Sequence, residues 1–319
     1  MSATPAAPRP AAPLPTVLLP YGPAETGELP PGLTAHHWDG TTPPPPQEVL
    51  DAVGFFALPY LNTAAALPLL SRMPRLQVAQ TLSAGVDDVL PALPPGVTLC
   101  NARGVHDAST AELTVALILA ALRDIPGFVR GQDAEQWRSG FYPALADRTV
   151  LLVGHGAIGA AIEDRLLPFE CRVRRVARTA RSTPRGPVHA LPELPELLPD
   201  ADVVVLIVPL TEQTRALADQ DFLARMKDGA LLVNVARGPV VDTGALLAEL
   251  ESGRLRAALD VTDPEPLPPG HPLWHAPGVL ISPHVGGSTS AFLPRALRLL
   301  SDQLRRYAAG EPLENRIVG

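Results

Sequence analysis

Val150-Leu151-Leu152-Val153-Gly154-His155-Gly156-Ala157-Ile158-Gly159 is an apolar run that ends in a glycine turn. Val150 to Val153 reads as a parallel strand buried on both faces, which needs apolar residues throughout. Ile158, Ile162 and Leu166 then recur every four residues, one face of a helix. Between strand and helix, Gly154, Gly156 and Gly159 have the spacing G-x-G-x-x-G. In that context Gly154 makes the tight turn, Gly156 lets the backbone approach a pyrophosphate, and Gly159 lets helix and strand pack closely. The first helical residues, Ala157 and Ile158, bring unpaired N–H groups and the positive end of the helix dipole to the phosphates. A glycine turn without a ligand is the competing reading.

The 319 residues suffice for two domains with a sizeable core. A hydrophobic content of 46% and a charged content of 18% fit a globular protein. Apolar runs all fall short of the roughly 18–20 residues of a membrane span. Residues 1–15, rich in Ala and Pro, read as a disordered tail and not a signal peptide. Two cysteines, Cys100 and Cys171, suggest no disulfide framework, and with the nucleotide signature they point to the cytoplasm. The net charge of −7, without a basic tract interleaved with aromatics, disfavours nucleic acid as a partner.

The single lysine, Lys227, narrows the chemistry. A Tyr-x-x-x-Lys dehydrogenase pair is excluded, because Leu223 stands four residues before it. Schiff-base catalysis would rest on that one side chain, beside Asp228 and Gly229 in an apparent turn. The cysteines are too few and too scattered for a common zinc pattern, so no metal is expected.

The fingerprint lies near the middle of the chain, so another unit precedes it. Residues 16–109 alternate short apolar strands (Val17–Leu19, Val53–Leu58, Leu76–Thr81, Val97–Cys100) with Pro-rich turns and short helices. After the fingerprint, strands are expected at Arg172–Ala177, Asp202–Val208, Ala230–Val235, Ala257–Val261 and Val279–Ile281, the rhythm of a doubly wound α/β sheet. Asp242 is placed to cap a helix over 242–252. A helix over Thr110–Leu122 is apolar nearly all round and is expected to be buried on all sides. The final helix, residues 289–308, aligns Leu293, Leu297, Leu300 and Leu304, and is positioned to return to the first unit. The chain ends soon after it, so no added regulatory domain is expected.

Three segments carry chemistry. In Asn234-Val235-Ala236-Arg237-Gly238, Arg237 lies just past a strand's C-terminal end, where open α/β sheets bind ligands. A guanidinium there can grip a carboxylate with two parallel hydrogen bonds. Glu265, flanked by Pro264 and Pro266, has a constrained backbone. His284, after Ser282-Pro283, again follows a strand and can give or take a proton near neutral pH. A nearby carboxylate would orient it and raise its pKa. The competing readings are a surface arginine and a structural histidine.

The mid-chain fingerprint followed by Asn-Val-Ala-Arg-Gly, Asp260-Val-Thr-Asp-Pro-Glu-Pro266 and Ser282-Pro-His-Val-Gly-Gly-Ser-Thr289 resembles the D-isomer-specific 2-hydroxyacid dehydrogenase family, from about Leu76 to the end. Leu82-Ser83-Ala84-Gly85-Val86-Asp87 is similar to that family's substrate loop. The resemblance implies two Rossmann-like doubly wound domains. Residues 110–289 would bind NAD(P), and 16–109 with 290–319 would form a split substrate domain, with the active site in the cleft. It implies that Arg237 binds the substrate carboxylate and polarises its carbonyl, that His284 is the general acid in reduction and the base in oxidation, and that Glu265 pairs with His284. Backbone N–H groups at Ala84 and Gly85 would hold the carboxylate. Asp260 would bind the nicotinamide carboxamide, and Val208, Pro209, Val235 and Ala236 would flank the cofactor. A homodimer through the nucleotide domain is also implied.

Two departures sharpen the reading. The acidic residue expected about 20 residues past the fingerprint is replaced by Ala177, followed by Arg178-Thr179-Ala180-Arg181. A carboxylate there would repel a 2′-phosphate, whereas Arg178, with Thr179 and Arg181, can bind one. Such charged hydrogen bonds contribute about 1.5–3 kcal/mol each, so NADP(H) is expected over NAD(H), with a solvated basic turn as the alternative. Asn101-Ala102-Arg103-Gly104 also departs from the common pattern and leaves the substrate open; Tyr60, after Pro59, is a candidate lining residue. The expected activity is interconversion of a small 2-oxo acid, such as glyoxylate or hydroxypyruvate, with its D-2-hydroxy acid. The rival is a dinucleotide-sensing, corepressor-like binding protein of the same fold.

Overall fold

The computed structural model describes residues 16–319, and the tail expected over residues 1–15 lies outside the described residues. The described residues form two compact units, one of residues 16–105 together with Leu293–Gly319, the other His106–Phe292. The sequence-based boundaries, 109/110 and 289/290, stand a few residues away.

The larger unit is built on strands β6 (Thr149–Val153), β7 (Arg172–Ala177), β8 (Arg181–Thr183), β9 (Gly186–Ala190), β10 (Val203–Leu206), β11 (Leu231–Asn234), β12 (Arg256–Leu259) and β13 (Val279–Ile281). They form one sheet in the order β13-β12-β11-β10-β6-β7-β9-β8, parallel except for the β8–β9 hairpin at its edge. The chain enters at β6 in the middle, turns to one side through β7, then crosses to the other through β10. The C-terminal ends of β6 and β10 therefore flank the switch point at which such sheets bind ligands. β6, β10 and β11 are buried at every residue, as their apolar runs require. Lys227 is spent on the scaffold: its Nζ lies 2.8 Å from Asp202 Oδ1, which also accepts from Arg148 Nη1 at 3.0 Å.

Helix α1 (Asp107–Leu122) packs on this sheet, but not buried all round as expected: Glu112 and Ala116 are exposed. A helix on one sheet face keeps an outer side toward solvent, and small alanines there erase the amphipathic signal. The β8–β9 hairpin also went unanticipated, because its Arg- and Pro-rich sequence reads as a turn. Helices α2 (Ala157–Leu166) and α3 (Thr243–Glu251) follow the expected glycine and Asp242 starts; Asp242 Oδ1 accepts from Ala245 N at 3.0 Å.

The smaller unit is a second sheet, β14-β5-β4-β3-β1-β2, of β1 (Thr16–Leu19), β2 (Ala35–His37), β3 (Val53–Ala57), β4 (Val78–Gln80), β5 (Thr98–Cys100) and β14 (Arg316–Val318), with β14 antiparallel. The edge strands β2 and β14 are short and exposed, so no apolar period marks them. Helix α4 (Phe292–Ala309) buries Ala296, Leu299, Leu300, Gln303 and Leu304; Leu293, expected on the buried stripe, is exposed. Gln303 explains the rotation of that face. Its Nε2 donates to Gln80 Oε1 at 2.7 Å and to Glu314 O at 3.0 Å, while its Oε1 accepts from Glu314 N at 2.9 Å. This satisfied buried amide ties the C-terminal segment to β4. Among the described residues no helix is long and apolar enough to cross a membrane.

Candidate active site

The glycine loop follows β6. Gly154 has φ +111°, and its N–H donates to Val176 O at 2.9 Å. A Cβ on Gly154 would lie 2.1 Å from the Ile207 carbonyl oxygen, and one on Gly159 2.3 Å from that of Gly154, so strand, turn and helix pack backbone to backbone. A Cβ on Gly156 would meet nothing within 4 Å. The loop is thus closed on its protein side and open at Gly156. There α2 begins at Ala157 and Ile158 without a side-chain cap. Open backbone at an uncapped helix N-terminus suits a pyrophosphate. Val208 and Pro209 leave the neighbouring strand, and Thr214 Oγ1 braces that loop by donating to Pro209 O at 2.6 Å. Val235 and Ala236 are buried at the end of β11. These residues fit a dinucleotide laid across the ends of β6, β10 and β11. Arg178 and Thr179 are exposed just past β7. Arg181, in β8, turns back to the glycine loop, where its Nη2 donates to His155 O at 2.5 Å.

Arg237 is set by a clamp that sequence reasoning quoted but did not interpret. Asn234, buried at the end of β11, donates from Nδ2 to Arg237 O at 2.9 Å and accepts at Oδ1 from Ala236 N at 3.1 Å. The arginine backbone is extended, and its Nη1 donates to Ala236 O at 2.8 Å. The next residue, Gly238, presses against the neighbouring loop: a Cβ there would lie 1.8 Å from Thr262 O. That contact sets the Arg237 turn directly against the loop bearing Glu265, where Thr262 Oγ1 donates to Pro264 O at 2.9 Å.

Glu265 and His284 form a pair. His284 Nδ1 donates to Glu265 Oε1 at 2.5 Å, leaving Nε2 as the ring's outward atom. His284 sits at φ +53°, a left-handed conformation that costs a non-glycine residue about 1–2 kcal/mol. Asp260 holds it there. The Asp260 carbonyl accepts from His284 N at 2.8 Å, and its buried carboxylate accepts from Ser282 Oγ at 2.6 Å, Val285 N at 3.0 Å and Gly286 N at 2.9 Å. Asp260 is therefore the anchor of the His284 loop, and Ser282, two residues before the histidine, is the partner that sequence reasoning missed.

The electrostatics favour an ion pair. The Glu265 hydrogen bond raises the His284 pKa, outweighing burial and the repulsion from Arg237. Burial pushes the Glu265 carboxyl up, but the His284 hydrogen bond and charge, the Thr262 N–H and Arg237 outweigh it and lower its pKa. The set holds a proton on an imidazole beside a guanidinium that can bind an anion. Such a set can protonate an oxygen that gains negative charge.

In the smaller unit, the Ser83–Gly85 loop turns its carbonyls inward. Those of Ser83, Ala84 and Gly85 accept from Ala102 N at 2.9 Å, Asn101 Nδ2 at 2.7 Å and Ser83 Oγ at 2.7 Å. The N–H groups of Ala84 and Gly85 have no protein acceptor among the described residues. Tyr60 follows β3, and its carbonyl accepts from Thr63 Oγ1 at 3.2 Å.

Known proteins similar to this chain point to one family. The D-isomer specific 2-hydroxyacid dehydrogenase NAD binding domain matches residues 115–286. A glyoxylate reductase of Aeropyrum pernix is 33% identical over 297 residues, 88% of each chain. The glyoxylate reductase/hydroxypyruvate reductase of Mus musculus is 38% identical over 260 residues, 76% of this chain and 77% of that one. The solved structure of an NADPH-dependent glyoxylate/hydroxypyruvate reductase from Sinorhizobium meliloti, in complex with NADP and sulfate, superposes with a TM-score of 0.82 at 26% identity, covering 95% of this chain and 98% of that one. With its doubly wound nucleotide unit and these relatives, the chain belongs to the D-isomer specific 2-hydroxyacid dehydrogenase family and is an NAD(P)-dependent oxidoreductase of it.

Proposed function

We propose that the protein reduces a small 2-oxo acid of the glyoxylate or hydroxypyruvate type with NADPH. The observation that carries the reading is the Glu265–His284 pair held beside Arg237 at the ends of β11 to β13. Two of the relatives carry both substrates in their names. The glycine loop at Gly154, Gly156 and Gly159 would hold the dinucleotide, whose reduced nicotinamide would supply the hydride for the substrate's carbonyl carbon. Arg237 binds the substrate carboxylate and draws charge toward the carbonyl oxygen. As the C=O π pair moves onto oxygen, His284 Nε2 delivers its proton there and becomes neutral, still hydrogen-bonded to Glu265 through Nδ1. Proton uptake from solvent restores the imidazolium. Oxidation runs the same steps backward, with His284 as base.

The cofactor assignment rests on Ala177 and Arg178. The end of β7 lacks the carboxylate that binds an unphosphorylated ribose, and Arg178 stands exposed beside it with no ion pair among the described residues. The Sinorhizobium relative, named NADPH-dependent and holding NADP, supports the assignment. The test is a panel of glyoxylate, hydroxypyruvate and longer 2-oxo acids with each cofactor. With the preferred acid, NADPH should exceed NADH in kcat/KM by about tenfold or more, the difference made by one charged hydrogen bond. Preference for NADH, or turnover confined to bulky 2-oxo acids, would overturn the assignment.

We also propose a homodimer through the segment after α1. Trp137 and Phe141 are 97% and 109% exposed, with Ile125 and Val129 near them in sequence also exposed. Aromatic residues left in water are the usual anchors of an interface. Light scattering after gel filtration should give twice the chain mass for the wild type and the single-chain mass for Trp137→Glu/Phe141→Glu. A wild-type monomer would refute the proposal.

A further inference from the structure

The variable position inside the glycine fingerprint holds His155, which the cofactor chemistry above leaves without a role. Its Nε2 lies 2.7 Å from Glu163 Oε2, and the other oxygen of Glu163 accepts from Arg175 Nε at 2.8 Å and from Arg175 Nη2. The three side chains are nearly sealed from water, at 9%, 1% and 7% exposure. Burial pushes the Glu163 carboxyl up, but Arg175 and His155 outweigh it and keep its pKa low. An ionised carboxylate only accepts, so His155 Nε2 is the donor, and Nδ1 is the ring atom left to accept from a second partner. That atom faces Arg181. Arg181 Nη2 lies 3.2 Å from His155 Nδ1 and donates to His155 O at 2.5 Å.

The guanidinium is therefore held at the rim of the glycine loop by a chain of contacts rooted in the buried Glu163–Arg175 pair. Holding it uses Nη2 and leaves the N–H groups of Nε and Nη1 for a ligand. Of the other nearby cations, Arg175 is committed to Glu163 and Arg185 to Asp164, which leaves Arg178 as the partner of Arg181. A guanidinium already fixed loses less side-chain freedom on binding than one that must be ordered.

We propose that His155 is a positioning residue for cofactor choice: it holds Arg181 so that Arg181 and Arg178 together bind the 2′-phosphate of NADPH. This rests on the NADPH reading above. Glu163 sets the tautomer that lets His155 accept from a cation.

The experiment measures Kd and KM for NADPH and NADH with the wild type, Arg178→Ala, Arg181→Ala, His155→Ala and the His155→Ala/Arg181→Ala double variant. Arg181→Ala should weaken NADPH by about tenfold, the scale of one charged hydrogen bond. His155→Ala should weaken it by about three- to fivefold, because Arg181 stays but loses its seat. NADH should change less than twofold in both, and the double variant should match Arg181→Ala alone, since two residues acting through one contact are not additive. Equal weakening of both cofactors by His155→Ala would show a merely structural role and overturn the proposal, as would unchanged NADPH affinity in Arg181→Ala. Arg181 is exposed, so its variant decides the matter even where His155→Ala fails to fold. A wild type that prefers NADH removes the cofactor reading and this proposal together. A wild type that prefers NADPH, loses that preference in Arg178→Ala and keeps it in the other variants removes this proposal alone.

Discussion

His284→Ala is expected to lower kcat/KM for 2-oxo acid reduction by about 10²–10⁴, the usual worth of a positioned proton donor, while NADPH affinity stays near that of the wild type. The histidine sits on the loop after β13, outside the glycine turn proposed to hold the nucleotide, so its loss should remove chemistry and spare cofactor binding. Its pKa is raised chiefly by the Glu265 hydrogen bond. In the proposed mechanism reduction needs the proton on Nε2, so kcat/KM should stay high at low pH and fall as pH rises through the raised pKa. Oxidation needs the neutral ring and loses rate as pH falls through the same value. Glu265→Gln removes the charge that raises the pKa, so the falling limb of reduction moves to lower pH. Near wild-type turnover in His284→Ala, or an unmoved limb in Glu265→Gln, would sink the assignment.

Arg237→Ala is expected to cost about 10²–10³ in kcat/KM, the scale of one lost oxyanion donor. The loss should fall on both kcat and KM, because in the proposed mechanism the fork would grip the ground-state carboxylate and also stabilise charge on the carbonyl oxygen. Arg237→Lys keeps a charge without the planar fork and should recover part of kcat but little of KM. A second signature separates this from simple misfolding. Arg237 lowers the His284 pKa by repulsion, so removing its charge should move the falling limb of reduction to higher pH, opposite to Glu265→Gln. Loss of rate with no movement of that limb would argue against their proximity.

The candidate site was legible to an uneven degree. The types at Arg237, Glu265 and His284 stood out because each follows an expected strand in a short loop with prolines or glycines. Asn234, Ser282 and Gly238 lay in the same quoted stretches, yet their work was invisible there. Asn234 clamps a turn, Ser282 binds a carboxylate 22 residues back in the chain, and Gly238 makes room for a carbonyl of another loop. The stripe on α4 misled because Gln303, polar in sequence, is fully buried once Gln80 and Glu314 satisfy its amide. A hydrophobic period cannot register a polar residue whose partners stand far away in the chain.

Sequence alone determined the doubly wound nucleotide unit and the glycine turn, because apolar runs, helical period and glycine spacing are properties of chain neighbours. It also showed the missing acid at Ala177 and the basic turn beyond it. Tertiary structure alone decided which of the marked residues meet. Parallel register pairs Asn234 with Leu259 and Leu259 with Ile281, which lines up the loops after β11, β12 and β13. Only then does Glu265 reach His284, 19 residues on, and only the β8–β9 hairpin returns Arg181 to His155, 26 residues back. Such contacts depend on the register and crossing of the sheet, which no local pattern encodes.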